Sequence, residues 1–423
     1  MSHLRALVRG VLACGVIAAV SACSDGGRVV QPKTPSGGAL FARYVSIGNS
    51  IAAGVQSGGI NDSTQQQSFA FLIAQQMGTR FAVPFFPRPG CTPPIANWQT
   101  GAVVQTGVPT GAPAATGSTC TLRATSSAGV VLNNVAVPSA ASTEVDALTS
   151  PFHNTLTTLI LGGETQVQRA VEVDPTFATI EIGPNDVLQA AATGLLVATP
   201  GISRGITPFA TFQQNYDKMI ADLSGGAKNL KGGVLLANVQ TSAAPLLFPA
   251  QAFFNPAFLA GFSTAAGGTV TVLPNCTPTT TSLVSFAILP QMRSGAHPRV
   301  ISCEKGAVPG TLVGDIFILD SGEQATLTAA INQMNTYIQG KANAINFAYV
   351  DINPILAGQK NPPNATGCIN TVPNLAALPT VSPFGTCVSL DGVHPTLAGQ
   401  KLIANAIIAG INAKYSTTLA PVP

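Results

Sequence analysis

The chain has 423 residues, of which only 9% are charged, and its 20 basic and 17 acidic side chains nearly cancel to a net charge of +3. Ordinary soluble proteins carry about 25% charged residues, so the surface here is built from small neutral groups and loops. So balanced a charge gives no support to electrostatic capture of nucleic acid or of anionic substrates, and a chain this long can bury one elaborated core or two.

The first residues, "MSHLRALVRGVLACGVIAAVSAC", read as an export signal: Arg5 and Arg9 form a basic head, an apolar stretch runs from Val11 to Val20, and small residues precede Cys23. The stretch is too short to span a membrane. "VSAC", residues 20 to 23, resembles the lipobox of bacterial lipoproteins. That resemblance implies a signal peptide over 1–22 and Cys23 as the acylated N-terminus of an exported lipoprotein; an ordinary secretory peptide is the alternative. Ser24 in place of Asp after the cysteine points to the outer membrane. Residues 23–40 are polar, rich in Gly and Pro, and read as a tether.

Five apolar runs of strand length follow: "FARYVSI" (41–47), "VVLNNVAV" (130–137), "FATIEI" (177–182), "GVLLANV" (233–239) and "FAYVDI" (347–352). Apolar residues recur at three and four over 68–77, 208–223, 323–343 and 396–413, which predicts helices there. Widely spaced strands followed by helices argue for crossovers and a parallel sheet, hence a doubly wound α/β domain over 41–415 with a short tail at 416–423. In such a fold, sites form at the carboxyl ends of the strands.

Long inserts rich in Thr, Pro and Gly interrupt this pattern at about 86–129, 187–207, 241–320 and 355–386. Within them "PLLFPAQAFFNPAFLAGF" (245–262) clusters Phe and Leu, either as a small satellite core or as a lid or acyl-binding wall. Six cysteines remain outside the signal and anchor, and neighbours in sequence pair most simply as Cys91 with Cys120, Cys276 with Cys303, and Cys368 with Cys387. No C-x-x-C or H-E-x-x-H spacing occurs, so a zinc site has no basis.

Beyond the signal only His153, His297 and His394 can act as a base. His394 lies in "SLDGVHPTLAGQKLIANAI", with Asp391 three residues before it and Pro395 after it, at the entry of the last helix. An aspartate at that spacing can accept from one imidazole nitrogen and leave the other as a base. His153 and His297 have no acid beside them and read as loop or packing residues. "TIEIGPNDVLQAA" ends a strand in Gly183, Pro184, Asn185 and Asp186, and Asn185 is an uncharged donor of the kind an oxyanion needs. "NNVAVPSAAST" (133–143) runs a third strand into small residues, and "YVSIGNSIAAG" (44–54) ends the first at Gly48, Asn49 and Ser50. Each of these turns alone reads as an ordinary strand exit.

Their order changes the reading. Gly-Asn-Ser, a small-residue turn, Gly-Pro-Asn-Asp and Asp-x-x-His-Pro resemble the four sequence blocks of the SGNH hydrolase superfamily, also called GDSL lipases and esterases, from about Tyr44 to Ile408. The resemblance implies a flavodoxin-like three-layer α/β/α fold around a five-stranded, mainly parallel sheet. It further implies Ser50 as nucleophile, His394 as base and Asp391 as its orienting acid, with an oxyanion hole from the N–H of Ser50, the N–H of Ser139 and the amide of Asn185. Gly48, Asn49, Gly183 and Asp186 would support these groups. The expected activity is hydrolysis of a small-molecule or lipid carboxylic ester by a monomer that needs no metal or organic cofactor and is held at the membrane through its lipid anchor.

Two positions depart from the pattern: Asn49 replaces the usual Asp, and Ser139 replaces a glycine, which keeps its N–H available unless the backbone needs a positive φ. "GISRG" (201–205) also matches the G-x-S-x-G nucleophile elbow at Ser203, but Pro200 and Pro208 flank it and prevent a helix from starting at once. An acyltransferase using the same site and a catalytically silent surface-binding lipoprotein are the alternatives to a hydrolase.

Overall fold

Four of the five apolar runs form one parallel sheet in the computed structural model, which describes residues 38–104, 130–147, 155–196, 205–303 and 316–423. Strand β1 (Tyr44–Gly48) leads into a short helix α1 (Ser50–Ala53), then α2 (Phe69–Met77). Helix α3 (Gln166–Glu172) precedes β2 (Phe177–Glu181), and α4 (Phe209–Gly226) precedes β3 (Gly232–Leu236). An insert follows with β4 (Leu247–Pro249), α5 (Pro256–Ala265), β5 (Leu283–Ser285) and β6 (Ile318–Leu319). Helix α6 (Ser321–Ala344), β7 (Ala348–Val350) and α7 (Leu397–Tyr415) complete the domain.

The sheet order is β1-β2-β3-β7, all parallel, with Tyr44 opposite Phe177 and Gly48 opposite Glu181. Helices α2 and α7 pack together, and α3, α4 and α6 form a second packed group, so the sheet is sandwiched between two helical layers. Helix α3 starts at a reciprocal cap between Thr165 and Gln168, and α6 at one between Asp320 and Glu323. Strands β1, β2 and β3 are buried throughout, as crossover connections demand of a parallel sheet. Aromatic rings close the amino-terminal end of the sheet: Tyr44 stacks on Phe81 at 5.0 Å, and Phe177 meets Phe41 and Tyr415 edge-on.

The fifth expected strand, 130–137, is not a regular strand, and the sheet has four. The segment does run beside β1, with Ser46 N donating to Asn133 O at 2.8 Å and Val135 N donating to Ser46 O at 3.0 Å. The ladder is irregular because the backbone N–H groups of Asn133 and Asn134 both donate to Ala82 O, and Tyr44 O of β1 accepts from the Asn133 side-chain Nδ2.

A second core lies in the insert. Phe248, Phe253 and Phe262 are buried there with Phe286, Ile318 and Trp98, and Phe384 packs edge-on against Phe286. The Phe-rich segment is therefore a satellite core. Cys276 is bonded to Cys303 and Cys368 to Cys387. Cys91 is itself disulfide-bonded, while Cys120, its expected partner, lies outside the described residues, as do Cys23, His153 and Ser203.

Phe248 is fully buried against Phe253, Phe258, Phe262 and Phe286. Phe248→Ala is expected to cost about 3–5 kcal/mol of stability in denaturant unfolding.

Candidate functional site

Strand β1 delivers Ser50 by a sharp turn that only a small residue allows: a Cβ on Gly48 would stand 2.5 Å from Ala52 Cβ. Asn49 caps α1, its Oδ1 accepting from Ile51 N at 3.0 Å. Ser50 is the first helical residue, so its own N–H has no intrahelical acceptor and is free to bind an anion. Beneath the turn, Asn49 Nδ2 donates to Glu181 Oε1 at 2.9 Å and Asn49 N reaches Glu181 Oε2 at 3.4 Å. Burial pushes the Glu181 carboxyl up to about 8, although the Asn49 donors and the Ala52 N–H pull the other way.

The next two blocks are locked to each other. Asp186 Oδ2 accepts from Ser142 N at 3.0 Å and Asp186 Oδ1 from Ser142 Oγ at 2.7 Å, and Asn185 Nδ2 donates to Ala140 O at 3.0 Å. The Asn185 amide is thereby oriented with one N–H remaining. Burial raises the Asp186 carboxyl against the pull of its Ser142 donors. Gly183 has φ 131°, and a Cβ there would lie 2.2 Å from Asn238 Oδ1, so no other residue fits. Ser139 has φ 64°, the left-handed region in which glycine is at ease, so the substitution of glycine carries backbone strain of about 1–2 kcal/mol. Its N–H makes no hydrogen bond within the described residues.

Asp391 and His394 sit on a tight loop before α7, closed by Ser389 N donating to His394 O and Thr396 N donating to Cys387 O. His394 Nδ1 lies 2.7 Å from Asp391 Oδ2, and Asp391 Oδ1 also accepts from the N–H of Val393 and of His394, each at 2.9 Å. Burial raises the Asp391 carboxyl, but the imidazole beside it and these donors outweigh that and hold it at about 2. An Nδ1–H pointed at a carboxylate leaves Nε2 as the basic nitrogen.

Contacts remote in sequence bind this loop to the segment that carries and follows Ser50. Gly58 N donates to Asp391 Oδ2, Ser57 N to Ser389 Oγ at 2.7 Å, and Leu390 N to Ser57 Oγ at 3.2 Å. From α7, Gln400 Nε2 donates to Ile51 O at 3.0 Å while its Oε1 accepts from Phe69 N at 2.8 Å. A cavity of about 430 Å³ opens at the carboxyl ends of the strands, lined by Asn49, Ser50 and Asn185 and by Val393 and Pro395 on either side of His394. Its walls are apolar, from Leu188, Val239, Ile352, Leu356 and Ile403, with Lys360 as the one cation among the lining residues. Burial lowers the Lys360 ammonium. Of the 241–320 insert, Thr241, Ala243, Ala244 and Pro245 at its root line the cavity and none of its phenylalanines does, so these rings do not form an acyl-binding wall.

His297 stands apart from the site. It is buried in the second core, its ring edge-on to Phe317, with Nδ1 2.6 Å from Pro298 O. Sequence reasoning missed Glu181, Ser142, Ser389 and Gln400. Of these only Glu181 left a signal, a carboxylate inside an otherwise apolar strand.

A family model described as GDSL-like Lipase/Acylhydrolase matches residues 44–407. No curated protein matches the sequence. Among solved structures, a catalytic mutant of an acetylxylan esterase from Geobacillus stearothermophilus is 11% identical, with a TM-score of 0.35 over 87% of this chain and 93% of that one. An extracellular lipase from Streptomyces rimosus is 14% identical, with a TM-score of 0.34 over 88% and 98%. A phospholipase A1 from Streptomyces albidoflavus is 13% identical, with a TM-score of 0.33 over 88% and 99%. At these identities and scores the family rests on the sequence match.

The lowered Asp391 carboxyl contributes stability that is present above its unfolded value of 3.8 and is lost as pH falls through about 2. Asp391→Asn is therefore expected to remove on the order of 2 kcal/mol at neutral pH and to flatten acid unfolding over that window, read by denaturant titration at each pH.

Proposed function

The chain belongs to the GDSL-like lipase/acylhydrolase family, hydrolases acting on esters, and from that premise we propose that it cleaves carboxylic esters through an acyl-enzyme on Ser50. The observation that carries this reading is the Asp391–His394 pair at 2.7 Å, on a loop hydrogen-bonded to the segment that follows Ser50. His394 Nε2 takes the Ser50 proton as Oγ attacks the ester carbonyl, and Asp391 holds the imidazole in the tautomer that makes this possible. The carbonyl oxygen becomes an oxyanion facing the N–H of Ser50, the N–H of Ser139 and the free N–H of Asn185. Collapse of the tetrahedral intermediate breaks the ester bond, and the alcohol leaves with the proton from His394. Water then attacks the acyl-enzyme by the same steps, releasing the acid and restoring Ser50.

The apolar walls of the cavity support an ester with an apolar acyl group, seated by burial rather than by ion pairing. On the sequence pattern alone, we further propose export and lipid anchoring at Cys23.

Ser50→Ala is expected to lower turnover of 4-nitrophenyl butyrate by at least about 10³-fold, whereas Ser203→Ala leaves it unchanged. Loss in the second variant with retention in the first would overturn the assignment. Asn185→Ala is expected to lower kcat by about 10²–10³-fold with the melting temperature little changed.

A further inference from the structure

Glu181 is the buried carboxyl that the mechanism above does not use. It ends β2 directly opposite Gly48, and it is 5% exposed where Asn49 is 1% exposed. Both of its oxygens face Asn49: Oε1 accepts from Nδ2 at 2.9 Å, and Oε2 lies 3.4 Å from the backbone N. Asn49 Oδ1 is committed elsewhere, to Ile51 N, one residue past the nucleophile. An amide with an acceptor on one side and a donor on the other has a single orientation. Without Glu181 the Nδ2 group would be a buried donor with no partner, and the amide would lose what distinguishes its two flips. Gly48 leaves the room this needs, since a Cβ there would stand 3.3 Å from Glu181 Oε2.

We propose that Glu181 is a positioning residue for hydrolysis: through the Asn49 amide it fixes the turn that presents the Ser50 hydroxyl and N–H to the ester. The inference rests on Ser50 being the nucleophile. Asn49 is then explained by its neighbour. Two carboxyls at this spacing could not both ionise in a buried site, whereas an amide opposite a carboxyl satisfies both side chains.

The protonation state follows from the surroundings. Burial is the dominant influence on Glu181, no cation contributes, and its carboxyl is pushed up to about 8, so at neutral pH it is uncharged. The groups facing it are the Asn49 donors and the Ala52 N–H from the turn and α1, and Tyr216 from α4, whose phenol is itself raised by burial. From α3, Gln166 Oε1 accepts from Gly48 N and carries no charge. The hydrogen-bonded pair Asp391 and His394 lies on the loop before α7. Ionised Glu181 would place an uncompensated negative charge behind the oxyanion that forms on attack at Ser50. Turnover should accordingly fall as pH rises through about 8.

The test compares the wild type with Glu181→Gln, Glu181→Ala and Ser50→Ala, measuring kcat and KM for 4-nitrophenyl butyrate across the neutral to alkaline range, with a thermal melt of each. Glu181→Ala is expected to lower kcat by at least about tenfold with KM within about twofold, because Asn49 loses its acceptor and the turn is misplaced. Glu181→Gln keeps an acceptor oxygen, so it is expected to restore kcat to within about threefold at neutral pH and to lack the alkaline decline of the wild type. A Glu181→Ala enzyme with wild-type kcat, or a Glu181→Gln enzyme with the wild-type alkaline decline, would overturn the inference. If Glu181→Ala does not fold, the pH profile of Glu181→Gln decides alone. Inactive Ser50→Ala beside unaffected Glu181 variants would sink the role of Glu181 only; active Ser50→Ala would sink the nucleophile assignment and this inference together.

Discussion

The parallel pairing of β1 with β2 sets Gly48 opposite Glu181, and the geometry of the site descends from that register. It brings two strand exits side by side, one turning at Asn49 into Ser50 and the other at Gly183 into Asn185. A slip of one residue would move every side chain of the strand to the other face of the sheet. It would separate Asn49 from the carboxyl beneath it and carry Asn185 away from Ala140. The pairing is guarded by what surrounds it. Tyr44 OH bonds Thr179 Oγ1 at 2.7 Å inside the sheet, and Gly183 fits against Asn238 where any Cβ would collide.

The third element of the site arrives from the far end of the chain and is held both by apolar packing of α7 and by hydrogen bonds from the loop before it. Ser57, Gly58 and Ile51 on one side and Ser389, Leu390, Asp391 and Gln400 on the other exchange donors and acceptors across more than three hundred residues of sequence. Apart from Asp391, neutral side chains do this work: Gln400 alone binds the backbone of α1 and of α2. The Cys368–Cys387 bridge and the second core buttress the same loop, since Cys387 O accepts from Thr396 N at the start of α7.

Much of this was legible beforehand where a local pattern carried it. The helices at 69–77, 209–226, 321–344 and 397–415 follow apolar spacing, and their caps lie in the same few residues. The run 130–137 reads as a strand by composition, yet its two asparagines bond sideways, and no local rule states where a side-chain amide will find its partner. The backbone at Ser139 adopts the conformation for which glycine is the natural choice, as its place in the sequence blocks suggested. Glu181 is visible in "TIEI" as a carboxylate in an apolar strand, but only the register with β1 shows that it points at Asn49. The phenylalanines of the insert suggested a wall for an acyl chain, but aromatic rings gathered in one stretch bury against each other first, and smaller aliphatic residues from distant segments line the cavity instead.

In the proposed reaction Ser50, Ser139 and Asn185 converge on one reacting carbonyl. A crystal structure of the protein reacted with a phosphonate ester addresses it directly, because the adduct mimics the tetrahedral intermediate. The expected adduct has phosphorus bonded to Ser50 Oγ and its negative oxygen within hydrogen-bonding distance, about 2.7–3.1 Å, of Asn185 Nδ2 and of the backbone nitrogens of Ser50 and Ser139. An adduct on another serine, or a phosphonyl oxygen turned away from Asn185, would contradict it.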